Sequence, residues 1–436
     1  GRHLPEMVPG LADVQHMLLA LRGFDAELYL SGHHQVQPAR RLAFSYRNFL
    51  NGFLWLFISL GSFTFIEPAP YDILSLLIVP IWFFGGFRIH RSVVPLVAVL
   101  FVYNVGGFIS LIPHFSEAEP KVWIFYSVYL GITGIFFALF FAEDTLKRID
   151  ICLKAYLISC LFAAVLAVIG YFDIADTAKW FSPEGRAMGP FKDPNVMGSY
   201  TIFGYIYLLQ LLLLGKAKRP LLALLGAVIL LLSIFLSFSR GSLGATVVAT
   251  LLTTFFCFVT AQERRLKKRI VILFLAVLAV AALALVAALS IDQISEMLSQ
   301  RAKLQHDYDS GETGRFGNQM RSIPMLLDRP NGFGPYRFNL WFQLEPHNSY
   351  IGAFSAYGWL GGFAFLTLVG MTTFVGFRLS LKPSPYMHQA QIVWTALFMF
   401  FLQAFQIDID HWRFVYLMLG SLWGLETARR RWISTR

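Results

Sequence analysis

Apolar runs alternate with short polar connectors along most of the chain, from about residue 49 onward. Twelve of these runs are long enough to cross about 30 Å of hydrocarbon as α-helices. They are residues 49–66, 72–87, 93–112, 122–142, 152–171, 199–215, 220–237, 243–260, 270–290, 350–376, 389–406 and 412–428. One connector, residues 291–349, is much longer than the others and has helix-like patterning of its own. The pattern therefore predicts an all-α integral membrane protein of about twelve transmembrane helices, with a helical loop domain between spans 9 and 10.

Composition agrees with this pattern, because 56% of the residues are hydrophobic and only 14% are charged. The formal net charge of +10 comes from basic residues in short connectors, which argues against a nucleic-acid partner. If the spans alternate, 24 of the 36 Lys and Arg residues fall on one side of the membrane. Basic connectors remain on the cytoplasmic side. We therefore expect both termini in the cytoplasm and the long connector on the opposite, outer side.

These boundaries divide the chain into three parts. Residues 1–48 are expected to be a cytoplasmic segment, either an interfacial amphipathic helix or a partly ordered tail. Residues 49–428 form the polytopic transmembrane domain, which includes the 291–349 loop domain, and residues 429–436 form a basic cytoplasmic tail. The three cysteines lie in or at the ends of apolar runs, so we expect neither a disulfide framework nor a metal site from them.

The long outer connector carries two helix signals. The stretch "IDQISEMLSQRAKL" (291–304) has apolar residues at helical spacing and predicts an amphipathic helix. Thr313 is a suitable N-cap for a second helix. Arg315 would then lie in the first turn, where backbone N–H groups and the helix dipole favour an anion. Arg321 follows nearly two turns later.

Two shorter outer segments place cations among turn residues. "PEGRAMGPFKDPNVMGSY" (183–200) carries Arg186, Lys192 and Asn195 among glycines and prolines, which suits a loop that receives an anion. "LSFSRGSLGA" (236–245) places Arg240 between two apolar runs, where an arginine snorkels, pairs or meets an anionic ligand. The alternatives are a rigid connector that touches lipid headgroups and a simple snorkelling arginine. The serines and glycines around Arg240 favour a phosphate site.

The stretch "EPHNSY" (345–350) places an imidazole at the outer end of the tenth span. His347 lies there beside Asn348 and Tyr350. A neutral imidazole at the water boundary suits a general base for an alcohol. The alternative is a structural histidine that caps the helix or bonds a loop, and the arginines expected on the same side make the two interpretations equally good.

The stretch "QIDIDHWRF" (406–414) carries Asp408, Asp410 and His411. An Asp-x-Asp pair occurs in metal sites, but the pattern is short and common. We therefore expect no metal here. We expect these side chains either to orient His347 or to pair with the arginines.

Together these motifs resemble the O-antigen ligase family, integral-membrane glycosyltransferases that also include O-antigen and exopolysaccharide polymerases. The shared pattern covers about residues 183–428 and consists of "RAMGPFKDPN", "SFSRGSLGA", "ETGRFGNQMR", "DRPNGFGP", "PHNSYIGAFSAYGWLGG" and "DIDHWRFVYLMLGSLWG". The resemblance implies about a dozen helices with a periplasmic domain between late spans, in the bacterial inner membrane. It also implies a donor glycan on undecaprenyl diphosphate and a periplasmic transfer that needs neither metal nor cofactor.

The resemblance further implies roles for residues. Arg240 and Arg315 match arginines that grip the diphosphate leaving group. His347 matches the histidine that deprotonates the acceptor hydroxyl, with inversion at the anomeric carbon. Arg186 and Lys192 would make auxiliary phosphate or glycan contacts. The remaining substrate-binding candidates are Asn195, Arg321, Asn348, Tyr350, Asp408, Asp410 and His411.

Three functions fit these observations. The leading one is a ligase that moves a lipid-linked glycan onto lipid A–core, in contact with membrane lipids. A polymerase would use the same donor with a second lipid-linked repeat as acceptor. A transporter or flippase is the distant alternative, because it would place charged residues along a pathway inside the spans, where this sequence has almost none.

Overall fold

The computed structural model describes residues 46–66, 68–84, 89–290, 295–296 and 311–435. Within these residues the chain is helical and contains no β-strand, which confirms the all-α prediction. The helices are α1 (Tyr46–Ser59), α2 (Pro70–Phe84), α3 (Val94–Leu111), α4 (Ala118–Ala142), α5 (Thr145–Tyr171), α6 (Ala178–Phe181), α7 (Pro194–Leu213), α8 (Pro220–Leu236), α9 (Arg240–Thr260), α10 (Arg264–Leu289), α11 (Arg315–Leu327), α12 (Phe338–Phe342), α13 (Ser349–Leu381), α14 (Met387–Gln403) and α15 (Arg413–Ser434).

Each of the twelve predicted spans overlaps one of these helices, although the first predicted span extends beyond its helix, which ends at Ser59. In the described part of the chain, six helices are long and apolar enough to cross a membrane: α3, α4, α5, α7, α9 and α13. Helix α8 and most of α2 are apolar but shorter. The structure therefore supports a multi-pass membrane protein, and a total of twelve spans stays a prediction.

Three predicted segments have different outcomes. Residues 1–45 and most of the predicted 291–304 helix lie outside the described residues. The described part of the long connector, residues 311–348, holds α11 and α12. The segment predicted as a basic tail continues α15 as far as Ser434. Its first residue, Arg429, donates from Nε to Glu426 Oε2 at 2.7 Å, so this end of the helix is held by an internal ion pair.

Glycines allow two helix pairs to pack backbone against backbone. A Cβ atom at Gly106 of α3 would lie 2.6 Å from the backbone nitrogen of Gly361 in α13. A Cβ atom at Gly420 of α15 would lie 2.6 Å from the carbonyl oxygen of Gly134 in α4. Small residues permit this close approach between membrane helices. These contacts fix α13 and α15, the two helices whose N-termini flank the candidate site.

Helix α7 lies inside the helical bundle, and most of its residues are buried by protein. Its polar side chains bond neighbouring helices: Tyr200 donates to Ser159 of α5 at 2.8 Å, and the hydroxyls of Tyr205 and Thr250 of α9 are 2.9 Å apart. Polar groups away from water require such partners. The N-terminus of α7 is therefore held in place by packing on several sides.

Helix α13 is interrupted at Gly358, which has φ 64° and ψ −169°. The turn at residues 330–334 fills the break, because Trp359 N donates to Pro330 O at 2.8 Å and Phe333 N donates to Ser355 O at 2.9 Å. The interruption thus gives a turn of the long connector direct backbone partners on a membrane helix. This anchor fixes where the connector returns to the start of α13.

We predict that Gly358→Ala destabilises the protein. The backbone at Gly358 occupies a region that is nearly restricted to glycine, and a Cβ atom there would lie 2.5 Å from Pro330 O. Strain of this kind costs about 1–3 kcal/mol. Thermal unfolding of the purified protein in detergent measures the loss as a lower Tm. Gly370→Ala in the same helix is the matched control, because a Cβ atom there meets nothing within 4 Å. Equal Tm values for the two variants would contradict the prediction.

Candidate active site

The start of α13 is joined to the loop between α14 and α15, residues 404–412 (the 404–412 loop). Asn348 caps the helix, since its side chain accepts a hydrogen bond from Tyr350 N at 3.0 Å. The same residue bonds the loop twice: its Nδ2 donates to Phe405 O at 3.2 Å, and its backbone N–H donates to Asp408 Oδ1 at 2.9 Å. A single cap therefore also fixes the position of the Asp408 carboxylate.

Ser349 adds three more bonds to the same loop. Its backbone N–H donates to Ala404 O at 2.8 Å. Its hydroxyl donates to Ile407 O at 3.2 Å and accepts from Ile409 N at 2.7 Å. Because Ser349 is fully buried, these bonds take the place of the hydrogen bonds that the backbone groups would otherwise make to water. The helix start and the loop behave as one structural unit.

His347 lies immediately before this unit. Its φ is 42°, in the left-handed region that is uncommon for residues other than glycine. Its Nδ1 is 3.7 Å from Asp408 Oδ2, and 34% of its side chain is exposed. The preceding residue, Pro346, is held through its carbonyl, which accepts a hydrogen bond from Gln319 of α11 at 2.8 Å. The imidazole is thus held near a carboxylate while about a third of its side chain stays exposed.

Arg315 is the first residue of α11, as the sequence predicts for its place in the first turn. The predicted N-cap, Thr313, is wrong by one residue: the cap is Gly314, whose extended backbone starts the helix without a side-chain bond. The half-buried guanidinium of Arg315 donates from Nη1 to Gln406 O at 3.2 Å. It also lies 4.7 Å from the centre of the Phe316 ring. These contacts attach the start of α11 to the 404–412 loop.

Arg240 is the first residue of α9, and its side chain is exposed. Ser239 caps this helix by accepting from Ser242 N at 3.3 Å. The next residue, Gly241, packs against the same loop, since a Cβ atom there would lie 2.7 Å from Gln406 Nε2. Gln403 also donates to Gly241 O at 3.3 Å. Both arginine-bearing helix starts therefore contact Gln406.

Hydrogen bonds join the segment at residues 183–198 to the residues on both sides of Arg240. Arg186 is buried and donates from Nε to Ser237 O at 2.8 Å and from Nη2 to Asn195 Oδ1 at 2.9 Å. Asn195 also accepts at its backbone carbonyl from Ser242 Oγ at 3.1 Å. Lys192 is exposed. Arg186 and Asn195 thus link two motifs that the sequence predicts to act together.

Arg321 and Tyr350 lie at the margins of this arrangement. Arg321 is exposed on α11, donates to Asn318 Oδ1 at 2.5 Å and lies 5.6 Å from the centre of the Phe342 ring. The Tyr350 hydroxyl donates to Phe401 O at 2.7 Å and ties α13 to α14.

Asp410 and His411 form a pair that faces α4. His411 Nδ1 is 2.8 Å from Asp410 Oδ2, and its ring lies 3.6 Å from the Trp123 ring. The Tyr416 hydroxyl donates to Asp410 O at 2.9 Å. The sequence predicts that the aspartates either orient His347 or pair with arginines. In the structure Asp408 lies beside His347, whereas Asp410 is hydrogen-bonded to His411.

Carboxyl groups are crowded next to the imidazole. Burial, with a smaller contribution from the nearby Asp410, raises the pKa of Asp408 to about 8, although backbone N–H donors at residues 347 and 348 oppose the shift. Burial and Asp410 also raise the pKa of Glu345. In the described part of the chain, no group of three or more His, Cys, Asp or Glu side chains is arranged to hold a metal ion.

The structure therefore gathers His347, Asp408 and the segments of Arg240 and Arg315 around the 404–412 loop. Sequence reasoning did not single out Gln406, although it begins the quoted "QIDIDHWRF" motif. It also missed Glu345, whose available signal is a carboxylate two residues before the histidine.

Comparison with known families identifies residues 225–366 as a match to the family model described as O-antigen ligase. The matched stretch is about a third of the chain and contains Arg240, Arg315 and His347. No curated protein matches the chain. The match confirms, for residues 225–366, the resemblance predicted from the motifs. It indicates a membrane glycosyltransferase of ligase or polymerase type that acts on lipid-linked glycans.

We predict that Ser349→Ala loosens the site and lowers stability. The substitution leaves Ile409 N–H buried without its acceptor, and a lost partner of this kind costs about 1–3 kcal/mol. Ser233→Ala is the matched control, because that serine is equally buried and its hydroxyl bonds only Leu230 O of its own helix. Thermal unfolding should show a clearly larger fall in Tm for the Ser349 variant. A similar fall for both would contradict the role assigned to Ser349.

Proposed function

We propose that this protein transfers a glycan from undecaprenyl diphosphate to an acceptor hydroxyl on lipid A–core, at the periplasmic face of the bacterial inner membrane. The topology follows from the basic connectors, which put both termini in the cytoplasm. The family match supports lipid-linked glycans as the general class of substrate, and the specific donor and acceptor are part of the proposal.

The observation that supports this proposal best is the meeting of two arginine-bearing helix starts and an imidazole on one loop. Arg315 bonds the carbonyl of Gln406, Gly241 beside Arg240 packs on its side chain, and two residues later Asp408 faces His347. Helix N-termini favour anions because their N–H groups and dipoles point outward. A guanidinium at each of two such termini suits a diphosphate that carries several negative charges.

In the proposed reaction His347 accepts the proton of the acceptor hydroxyl. The oxygen attacks the anomeric carbon of the donor sugar from the face opposite the leaving group. The new C–O bond forms as the old bond to the diphosphate breaks, and undecaprenyl diphosphate leaves with the bonding electrons. The configuration at the anomeric carbon inverts. Arg240 and Arg315, rather than a metal ion, offset the negative charge that grows on the leaving oxygen.

Neighbouring residues support these groups. Asp408 orients the ring of His347 and stabilises the imidazolium formed after proton transfer. Asn348 holds the Asp408 carboxylate and caps α13. Arg186, through its bonds to Ser237 O and Asn195, positions the Arg240 segment, and exposed Lys192 reaches phosphate or glycan nearby.

The acceptor distinguishes a ligase from a polymerase. Purified full-length protein is given a radiolabelled undecaprenyl-diphosphate glycan with either lipid A–core or a second lipid-linked repeat. We expect label on lipid A–core. Label on the lipid-linked repeat alone would assign the polymerase reaction, and no transfer to either acceptor would overturn the proposed function.

We predict that His347→Ala, Arg240→Ala and Arg315→Ala each reduce transfer at least about a hundredfold while the protein still inserts in the membrane. General-base catalysis contributes about 10²–10⁴-fold to rate, and a positioned donor for developing charge contributes about 10²–10³-fold. Single-turnover transfer of labelled glycan measures each loss.

The matched control is Arg329→Ala. This arginine lies in the same connector, is exposed and is 4.5 Å from the centre of the Trp341 ring rather than on the 404–412 loop. It should retain nearly full activity. A variant at His347 with wild-type rate would contradict the base assignment, and equal losses at Arg329 would show that the arginine effect is not specific to the site.

We also predict a pH dependence that belongs to Asp408. Its pKa is raised to about 8, so the carboxyl loses its proton as pH rises through that value. Only the ionised form stabilises an imidazolium on His347, so kcat/KM should rise between roughly pH 6 and roughly pH 9. Asp408→Asn cannot ionise and should lose the part of the rise near pH 8. An unchanged profile in this variant would contradict the pairing.

A further inference from the structure

A cavity of about 150 Å³ lies next to residues that adjoin the imidazole of His347. Pro346 and Asp408 form part of its wall, and both are direct neighbours of His347, one in sequence and one through the 3.7 Å contact. The volume is large enough for several water molecules, which is the scale of one sugar ring. A ligand held in this cavity would therefore contact residues that adjoin the proposed base.

The charged groups of this cavity are predominantly acidic. Glu345, Asp408 and Asp410 all line it, and Asp410 is 93% buried, given a side-chain exposure of 7%. Arg337 also lines it, but this arginine forms an ion pair with Glu117 at the start of α4. A carboxylate oxygen accepts hydrogen bonds and does not donate them when ionised. The cavity therefore suits a ligand rich in donors, such as hydroxyl or ammonium groups.

Aromatic rings form a second part of the wall. The rings of Trp123 and Tyr336 meet edge to face, with centroids 4.8 Å apart at 86°. His411 supports the Trp123 ring. Its own ring packs against Trp123, and its Nδ1 is bonded to Asp410. A pyranose ring has an apolar C–H face and polar edges. Aromatic surface next to hydrogen-bond acceptors is the combination that such a ring requires.

The two sides of the loop therefore differ in charge. The segments of Arg240 and Arg315 contact Gln406, which does not line the cavity, whereas Glu345 and Asp410 line it. Asp408 separates the two and contacts the imidazole. An anionic group brought into the cavity would be repelled by whichever of these carboxyl groups are ionised, which disfavours its binding there.

We propose that this cavity binds the sugar ring of the acceptor that carries the reacting hydroxyl, and that this ring is uncharged or bears an amino group rather than phosphate. The inference rests on the proposed function, since it assigns the acceptor half of that reaction. Glu345 and Asp410 accept hydrogen bonds from ring hydroxyl or ammonium groups, Trp123 and Tyr336 contact its C–H face, and one hydroxyl points toward His347. The donor's diphosphate stays on the arginine side.

Direct sugar binding tests the inference without any transfer. Saturation-transfer NMR on the full-length protein in nanodiscs is run with three probes: a methyl hexoside, a methyl 2-amino-2-deoxyhexoside and a hexose 6-phosphate. We expect signal from the first two and none from the third. Equal signal from the phosphate probe, or no signal from any probe, would overturn the inference.

Two variants at Gly352 assign the signal to the cavity. Gly352 lines it, and a Cβ atom there would lie 3.5 Å from Pro346 and 3.8 Å from Asp408 Oδ1, which is ordinary contact. Gly352→Ala should therefore keep binding, whereas Gly352→Leu places further carbon atoms in the cavity and should abolish it. Equal binding by both variants would show that the probes bind elsewhere.

A charge variant tests the acidic wall. Glu345→Gln keeps the shape of the side chain but removes its charge, and it should weaken the amino sugar about tenfold while changing the neutral sugar less. Glu312→Gln, at an exposed position of the same connector, is the matched control and should change neither. A loss that is equal for both sugars would contradict the role of charge.

The outcomes separate the two proposals. Transfer to lipid A–core without any sugar binding at the cavity would overturn this inference and leave the proposed function intact. Sugar binding that responds to Gly352→Leu, together with no transfer to any acceptor, would overturn the proposed function and with it the assignment of the cavity as an acceptor site.

Discussion

The bonds between the start of α13 and the 404–412 loop determine the geometry of everything around them. Asn348 and Ser349 contribute five hydrogen bonds to this junction, to residues 404, 405, 407, 408 and 409. Each bond involves at least one backbone group, so the junction fixes main chain rather than only side chains. His347 precedes it, Asp408 lies within it, and Gln406 presents its carbonyl and side chain to the two arginine segments. A shift of this loop would move all of these groups together.

The loop also separates charge. The N-termini of α9 and α11 bring guanidiniums to Gln406, and carboxyl groups line a cavity that includes Asp408. Transfer between two large lipid-linked molecules needs a place for each of them and one point where they meet. In the proposed reaction the diphosphate belongs to the cationic side, the acceptor ring to the acidic side, and the imidazole to the boundary. Burial beside Asp410 raises the pKa of Asp408, so the boundary itself is sensitive to protonation.

The lengths of the apolar runs were sufficient to predict the helices. A run that crosses a membrane must satisfy its backbone hydrogen bonds internally, and an α-helix does so within one segment. Each of the twelve runs overlaps a helix, and Arg315 does begin α11. The interruption at Gly358 was not visible, because its cause is a turn that is distant in sequence and supplies the missing backbone partners. The sequence also did not predict which of the two aspartates contacts His347 and which contacts His411. Both fit the same motif, and only packing against Trp123 and the cap of α13 distinguishes them.

The left-handed backbone at His347 has a consequence for how this protein would respond to engineering. A residue with a Cβ atom in that region carries strain of about 1–3 kcal/mol, which the surrounding turn must absorb. Glycine at the same position would relieve it. Selection for heat resistance alone would therefore favour chains that have lost the imidazole, so if His347 is the proposed base, yield and melting temperature are poor guides to activity. Libraries built on this scaffold need a catalytic screen at every round.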